Sequence, residues 1–239
     1  KYSGISSIMK TNDGGIAVGG YFRTDRIDLG NGVSLTGNDD TNTGMLIKYN
    51  TSGECEWAKA IGGDKYTSIE FVAESADGGI ITGGQFRSNS IELDKGVVII
   101  NNTPNLDNND GMVIKYSSTG KCNWAKVIGG EGFNDNIFSA VETSNGEIIL
   151  GGIFQSRIDL DNKITLTSDS ERCGMILKLS KVEVTNPPTV QMKKIGERGN
   201  ATIVFSKESI DGGMIVAENY SENICLENGI LLENKGGLD

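Results

Sequence analysis

The sequence predicts an all-β chain: a β-propeller, or part of one, made of four-stranded antiparallel blades at about 65 residues per repeat. Three observations predict it. The stretch GMLIKYNTSGECEWAKAIGG (Gly44–Gly63) returns without a gap as GMVIKYSSTGKCNWAKVIGG (Gly111–Gly130), 67 positions on. Short apolar runs alternate with Asp-Gly, Asn-Gly and Gly-Gly punctuation, the signature of strands joined by tight turns. No apolar segment holds a 3.6-residue period for more than a couple of turns, so helices are not expected.

The first unit spans 1–63. Ile5–Lys10 is a short apolar-rich run, and Asp13-Gly14-Gly15 is a turn, because Asp-Gly accepts the positive φ of a tight hairpin. Ile16–Phe22 reads as a strand. Ile27-Asp28-Leu29 and Val33-Ser34-Leu35 alternate around Gly30-Asn31-Gly32, an inserted hairpin. Gly44–Tyr49 and Cys55–Ile61 are two further strands around a turn at Thr51-Ser52-Gly53.

The second unit, 64–130, keeps this order, with strands at Ile69–Ser75, Gly79–Phe86, Gly111–Tyr116 and Cys122–Ile128. Met112–Tyr116 alternates weakly, which implies burial on both faces of the sheet. Such a sheet must lie between two others, and sheets stacked around an axis make a propeller. The third unit, 131–197, has Asn145-Gly146 at its first turn, keeps Gly174-Met175-Ile176-Leu177-Lys178, and diverges from Lys181 through Pro187-Pro188. The fourth, 198–239, repeats Asp211-Gly212-Gly213 and places Ile224-Cys225-Leu226 on the hairpin element, without the Gly-Met and Trp strands. Three and a half units do not close a ring. The expectation is a longer native chain, or a second chain that completes the last blade and covers its open edge. The chain begins at Lys1 and not Met, so the lack of a visible leader carries little weight.

Composition narrows the function. The net charge of −10 argues against nucleic acid and against an anionic membrane face. No run is long and apolar enough to insert in a membrane. The chain has no His, which removes the commonest general base and metal ligand and every His-containing triad. The four cysteines, Cys55, Cys122, Cys173 and Cys225, form no CxxC, so zinc is not expected and all four read as packed free thiols.

Several recurring residues have a functional and a structural reading. Trp57 and Trp124 could be sugar platforms; in strands at one repeat position they read first as packing between blades. Lys48, Lys115 and Lys178 could neutralise an anion, but read as strand-end residues with packed stems and amines in water. Asp28, Glu92 and Asp159 sit between apolar neighbours on the inserted hairpin and read as its solvent face; nothing pairs them for acid–base work. The loops Gly37–Thr43 and Asn101–Asp110 are rich in oxygen donors that suit Ca²⁺, without the spacing of a calcium loop. The Gly-Gly pairs lie inside strands with no helix after them, so they are not phosphate loops. Sequons at Asn50, Asn101, Asn200 and Asn219 are what an Asn-rich chain produces by chance. No catalytic, cofactor or metal residue is assigned and no cofactor is expected; calcium is the one alternative, suggested by the loops' composition alone.

The units share a pattern, D-G-G-I-x-x-G-G-x-F, then D-G-M-x-I-K-Y-x-x-x-G, then W-A-K-x-I-G-G. This resembles the bacterial extracellular β-propeller repeats of the SBBP type, over nearly the whole chain. The resemblance implies one blade per unit and a secreted or surface-attached bacterial protein. It implies no single activity. The expected function is therefore a non-enzymatic extracellular scaffold, adhesion-like, that presents hairpins and loops to a protein or glycan partner. The alternatives are a carbohydrate-binding module, with or without calcium, and an assembly subunit whose open blade another chain completes.

Overall fold

A computed structural model describes residues 1–103, 107–160, 164–168 and 172–180, and beyond them the strands of 190–195, 201–208, 214–220, 224–225 and 231–232. Among the described residues there is no helix. The chain is all-β, in antiparallel sheets.

In the first unit β1 (Tyr2–Lys10), β2 (Ile16–Arg23), β5 (Thr43–Tyr49) and β6 (Cys55–Ile61) make one sheet in the order β1-β2-β5-β6. Between β2 and β5 the chain forms a separate hairpin, β3 (Arg26–Asp28) with β4 (Ser34–Thr36). The second unit repeats this with β7 (Thr67–Glu74), β8 (Ile80–Phe86), β11 (Asp110–Tyr116) and β12 (Cys122–Ile128), and the hairpin β9 (Ser90–Asp94) with β10 (Val97–Ile100). The third has β13 (Asn136–Glu142), β14 (Ile148–Phe154), β17 (Cys173–Leu179) and β18 (Val190–Ile195), and the hairpin β15 (Arg157–Leu160) with β16 (Ile164–Thr167). In the last stretch β19 (Ala201–Glu208) pairs with β20 (Met214–Tyr220), and β21 (Ile224–Cys225) with β22 (Leu231–Leu232). The three four-stranded sheets stack in chain order, each first strand lying against the sheet before it. Among the described residues no closed ring or barrel is formed.

The turns follow from their glycines. At Thr11–Gly15 the Gly14 N–H donates to the Thr11 carbonyl at 2.9 Å, and the Thr11 N–H to the Gly15 carbonyl at 2.9 Å. Gly14 has φ +88°, a conformation that costs any residue with a Cβ. The same two bonds recur at Ser75–Gly79 and Thr143–Glu147, so the reading of Asp-Gly and Asn-Gly as turns holds in detail.

The Gly-Gly pairs have a different cause. Each first strand carries a bulge, between Ile5 and Ser7, Ile69 and Phe71, and Ile137 and Ser139. The bulge pushes a carbonyl toward the second strand. A Cβ on Gly20 would lie 2.1 Å from the Gly4 oxygen, on Gly84 2.1 Å from the Ser68 oxygen, and on Gly152 2.3 Å from the Asn136 oxygen. Only Gly fits.

The core lies between sheets. One cluster joins Ala17, Leu46 and Ile61 of the first sheet to Ile69, Val72, Met112, Ile114 and Tyr116 of the second. Another joins Phe71, Ile81, Val113 and Ile128 of the second to Ile137, Leu150 and Leu177 of the third. β11 is thus buried on both faces, as its weak alternation predicts. Backbone contacts reinforce the stack: the Glu74 carboxylate accepts from the Asn12 N–H at 2.9 and 3.0 Å. Glu142, one unit on, accepts from the Ala76 N–H at 3.2 Å and from the Ser75 hydroxyl.

Candidate functional site

The strand order assigns different work to the two ends of the stack. One end carries the tight turns within each unit. The other carries the inserted hairpins, the Asn/Asp-rich loops and the passage from each unit to the next. Between the first two units the length differences fall at this second end, while in the third the connection between β17 and β18, at the other end, is longer as well.

Between the second and third sheets this end opens into a cleft of 330 Å³. Tyr66 and Phe138 supply rings, Arg87 and Arg172 guanidinium groups, and Asn109 and Asn136 amides. The Arg87 Nε donates to the Asn109 Oδ1 at 2.9 Å, which fixes both side chains at the rim. The polypeptide itself bridges the two sheets here: the Asp135 N–H donates to the Asn109 carbonyl at 3.0 Å, and the Asn109 N–H to the Phe133 carbonyl at 3.2 Å.

Beside the cleft are two carboxylates that sequence reading passed over as ordinary loop acids. Asp110 and Asp135 are both fully buried. Asp135 accepts from the Gly130 N–H at 2.9 Å and the Gln155 N–H at 3.0 Å. Asp110 Oδ2 accepts from the Asn102 N–H at 2.6 Å, while Oδ1 is buried without a donor. Burial pushes Asp110 up to about 6. Burial and the Asp110 charge push Asp135 up to about 7, and only backbone N–H donors oppose the shifts. At the junction of the first two sheets the equivalent positions are Thr43 and Thr67, also buried. The second junction thus carries two ionisable groups where the first carries two hydroxyls. One clue was available: alignment of the units sets Asp110 against Thr43 and Asp135 against Thr67.

Several oxygen donors of the calcium-suited loops are taken by backbone N–H groups. Asn38 Oδ1 accepts from the Asp40 N–H at 2.7 Å, Asp39 from the Asp25 N–H at 3.0 Å, and Asn101 Oδ1 from the Thr103 N–H at 2.9 Å. Among the described residues no three or more Asp, Glu or Cys groups are placed to hold a metal. Asp28, Glu92 and Asp159 are exposed on the hairpins, and Asp159 pairs with Arg157 at 2.9 Å. Cys55, Cys122 and Cys173 are buried and form no disulfide; the Cys225 and Asn219 side chains and Asn200 lie outside what the structure describes.

The recurring lysines require a correction. Their amines were expected in water, yet Lys48 is 3% exposed. Its Nζ reaches Asp13 of the first turn at 2.9 Å, Glu56 at 3.0 Å and the Tyr49 carbonyl at 3.1 Å. Burial alone would lower its pKa, but these acceptors raise it. Lys115 pairs with Asp77 at 2.8 Å in the same way. In the third unit the turn has lost its acid, and Lys178 pairs instead with Glu147 at 2.9 Å, two positions beyond Asn145. The lysine is a latch between the third strand and the first turn, largely buried in the first two units, whereas the Lys178 side chain is 34% exposed and keeps contact with water as expected. Asp77→Asn is expected to cost about 1 kcal/mol and Lys115→Met less, because the first strands a half-buried ammonium and the second removes it. Urea unfolding of both variants measures the difference.

The tryptophans separate. Trp57 lies across the junction: its indole N–H donates to the Ser118 carbonyl at 2.9 Å, and its ring meets Tyr116 with centroids 6.2 Å apart. A Cβ on Gly120 would lie 2.8 Å from that indole. Trp57 therefore packs between sheets. Trp124 packs against the second junction's core and borders a cleft of 520 Å³ with Lys115, Glu142 and Asn145.

No family model matches this chain. No curated protein matches it either.

Proposed function

We infer that the sheets are blades of a β-propeller of the SBBP-like kind their motif resembles, and that the chain is a non-enzymatic extracellular scaffold of a bacterial cell. Its working surface is the loop-bearing end, which presents the hairpins β3–β4, β9–β10 and β15–β16 and the Asn/Asp loops to a protein or glycan partner on another surface. The observation that carries this reading is the segregation of every inserted hairpin to one end of a repeated strand framework. Among the described residues the clustered ionisable groups are latched to turns or sealed between sheets. Beads coated with the chain should retain intact cells. Alanine at Asn38, Asp39, Asp40, Asn102 and Asp107 together should lower retention at least tenfold with the circular dichroism of the sheets unchanged. Undiminished retention would remove this reading.

A second reading, carbohydrate binding, is favoured by the cleft between the second and third sheets. Two rings beside guanidinium and amide groups suit the faces and hydroxyls of a sugar. A glycan array probed with the chain and with Tyr66→Ala separates the two, and an added chelator tests for calcium.

A further inference from the structure

Among the described residues three apolar clusters sit on the stack, and two of them lie between sheets. The third, Val18, Phe22, Leu35, Met45, Ile47 and Cys55, lies on the outward face of the first sheet. The repeat shows what such a face is built for. In unit order Met45, Ile47 and Tyr49 correspond to Met112, Ile114 and Tyr116, which face the first sheet; Met45 and Ile47 are already buried, in a cluster with Leu35 of the hairpin β3–β4, so the uncovered part of this face lies over β1. Ile5 and Ile8 correspond to Ile69 and Val72, which are 0% and 9% exposed, whereas Ile5 and Ile8 are 67% and 64% exposed. Over β1, the first sheet has half of a sheet-to-sheet junction that nothing among the described residues completes.

The occupied junctions specify the missing half. Ile69 fits hollows left by glycine: a Cβ on Gly19 would lie 2.8 Å from its Cγ2, and one on Gly44 3.2 Å from its Cγ1. Gly111 leaves the same hollow for Ile137, whose Cγ1 would lie 3.2 Å from its Cβ. Gly120, with φ +79°, is covered by Trp57; its equivalent Gly53, with the same φ of +79°, has nothing within 4 Å. Lys10 stands where Glu74 and Glu142 accept N–H groups from the turn of the preceding unit, so a turn opposite Lys10 must offer an acceptor.

We propose that the outward face of the first sheet is a docking surface for one further unit of this same repeat, with Gly at the positions of Gly19 and Gly44, Trp at the position of Trp57, and an acceptor on the turn facing Lys10. Its glycines receive Ile5 and Ile8, and its indole covers Gly53 and Tyr49. A second copy of the fourth unit does not fit this description. Residues 198–239 contain no Trp, and Ala217-Glu218 stands where the Gly pair belongs. The second unit does fit, since Gly83, Gly111 and Trp124 are all present.

The test places a copy of residues 64–130 ahead of Lys1 in the whole chain, joined through one Asp as Gly63 is joined to Lys65 through Asp64. A second version carries the same copy between Gly130 and Glu131 as a control that an extra unit is tolerated. In the unaltered chain Ile5→Asp should leave the thermal midpoint unchanged. In the N-terminal fusion it should lower the folding equilibrium constant at least tenfold, and amide exchange across Ser3–Met9 should slow at least tenfold on fusion. An N-terminal fusion that fails to fold, or that folds with β1 exchange and Ile5→Asp insensitivity unaltered, overturns the proposal. So does concentration-dependent dimerisation of the unaltered chain that Ile5→Asp abolishes in sedimentation, which would give the face to a second copy.

Discussion

Gly84→Ala is expected to destabilise the chain by about 3 kcal/mol, the upper range for forcing an atom into a packed interior. The new Cβ would lie 2.1 Å from the Ser68 carbonyl oxygen and 3.0 Å from the Glu70 nitrogen. Both are backbone atoms, so no side chain can swing away. Relief requires the bulge in β7 to shift, and the bulge sets which residues of β7 face the first sheet. Gly96→Ala is the control. Gly96 has φ +85° and nothing within 4 Å, so that substitution meets only the left-handed backbone penalty, about 1 kcal/mol. Chemical denaturation of the two variants should separate them by about 2 kcal/mol; equal losses would show that the bulge yields.

Stability is also expected to fall as pH rises from about 4 to about 7. The sign follows from Asp110 and Asp135. Their folded values, about 6 and about 7, lie above the ordinary 3.8, so the folded chain holds protons that the unfolded chain has released. The contribution is fully present near pH 4 and is lost progressively until both groups have ionised, with a total of a few kcal/mol. The groups facing the pair are the Asn102, Gly130 and Gln155 N–H donors and the two carboxylates themselves. The latching acids act in the opposite sense at lower pH. Asp13, Asp77 and Glu147 are all held below their ordinary values, so their contribution is lost as pH falls through those depressed values. Asp110→Asn keeps an acceptor toward Asn102 and removes the buried charge. It should raise the thermal midpoint at pH 8 and remove at least half of the slope between pH 5 and pH 8. An unchanged slope would place the titration elsewhere.

Much of the fold was legible because it is written more than once. The two copies of the Gly-Met to Gly-Gly stretch mark the third and fourth strands, and the Asp-Gly and Asn-Gly turns mark the boundary of the first and second. What was not legible depends on contacts made across the sequence. The lysine latch joins Lys48 to Asp13, 35 positions apart, and only the pairing of β2 with β5 brings them together. Read along one strand, Lys48 is simply a polar residue near an end. The Asp110–Asp135 pair spans the second junction in the same way, and each acid looks like loop chemistry until the neighbouring sheet covers it. The reason for the Gly pairs was hidden as well, because it lies in a carbonyl of the adjacent strand.

The clamps formed by Glu74 and Glu142 bear on how the chain folds. Each reaches back to a turn of the previous unit, 62 and 66 positions away. Hairpins such as β1–β2 close locally and early, whereas a junction forms only after two complete units have been made. The cooperative element is therefore the seam and not the repeat. Unfolding should proceed seam by seam from a free face, with coupling between nearest neighbours only, in the manner of a one-dimensional lattice.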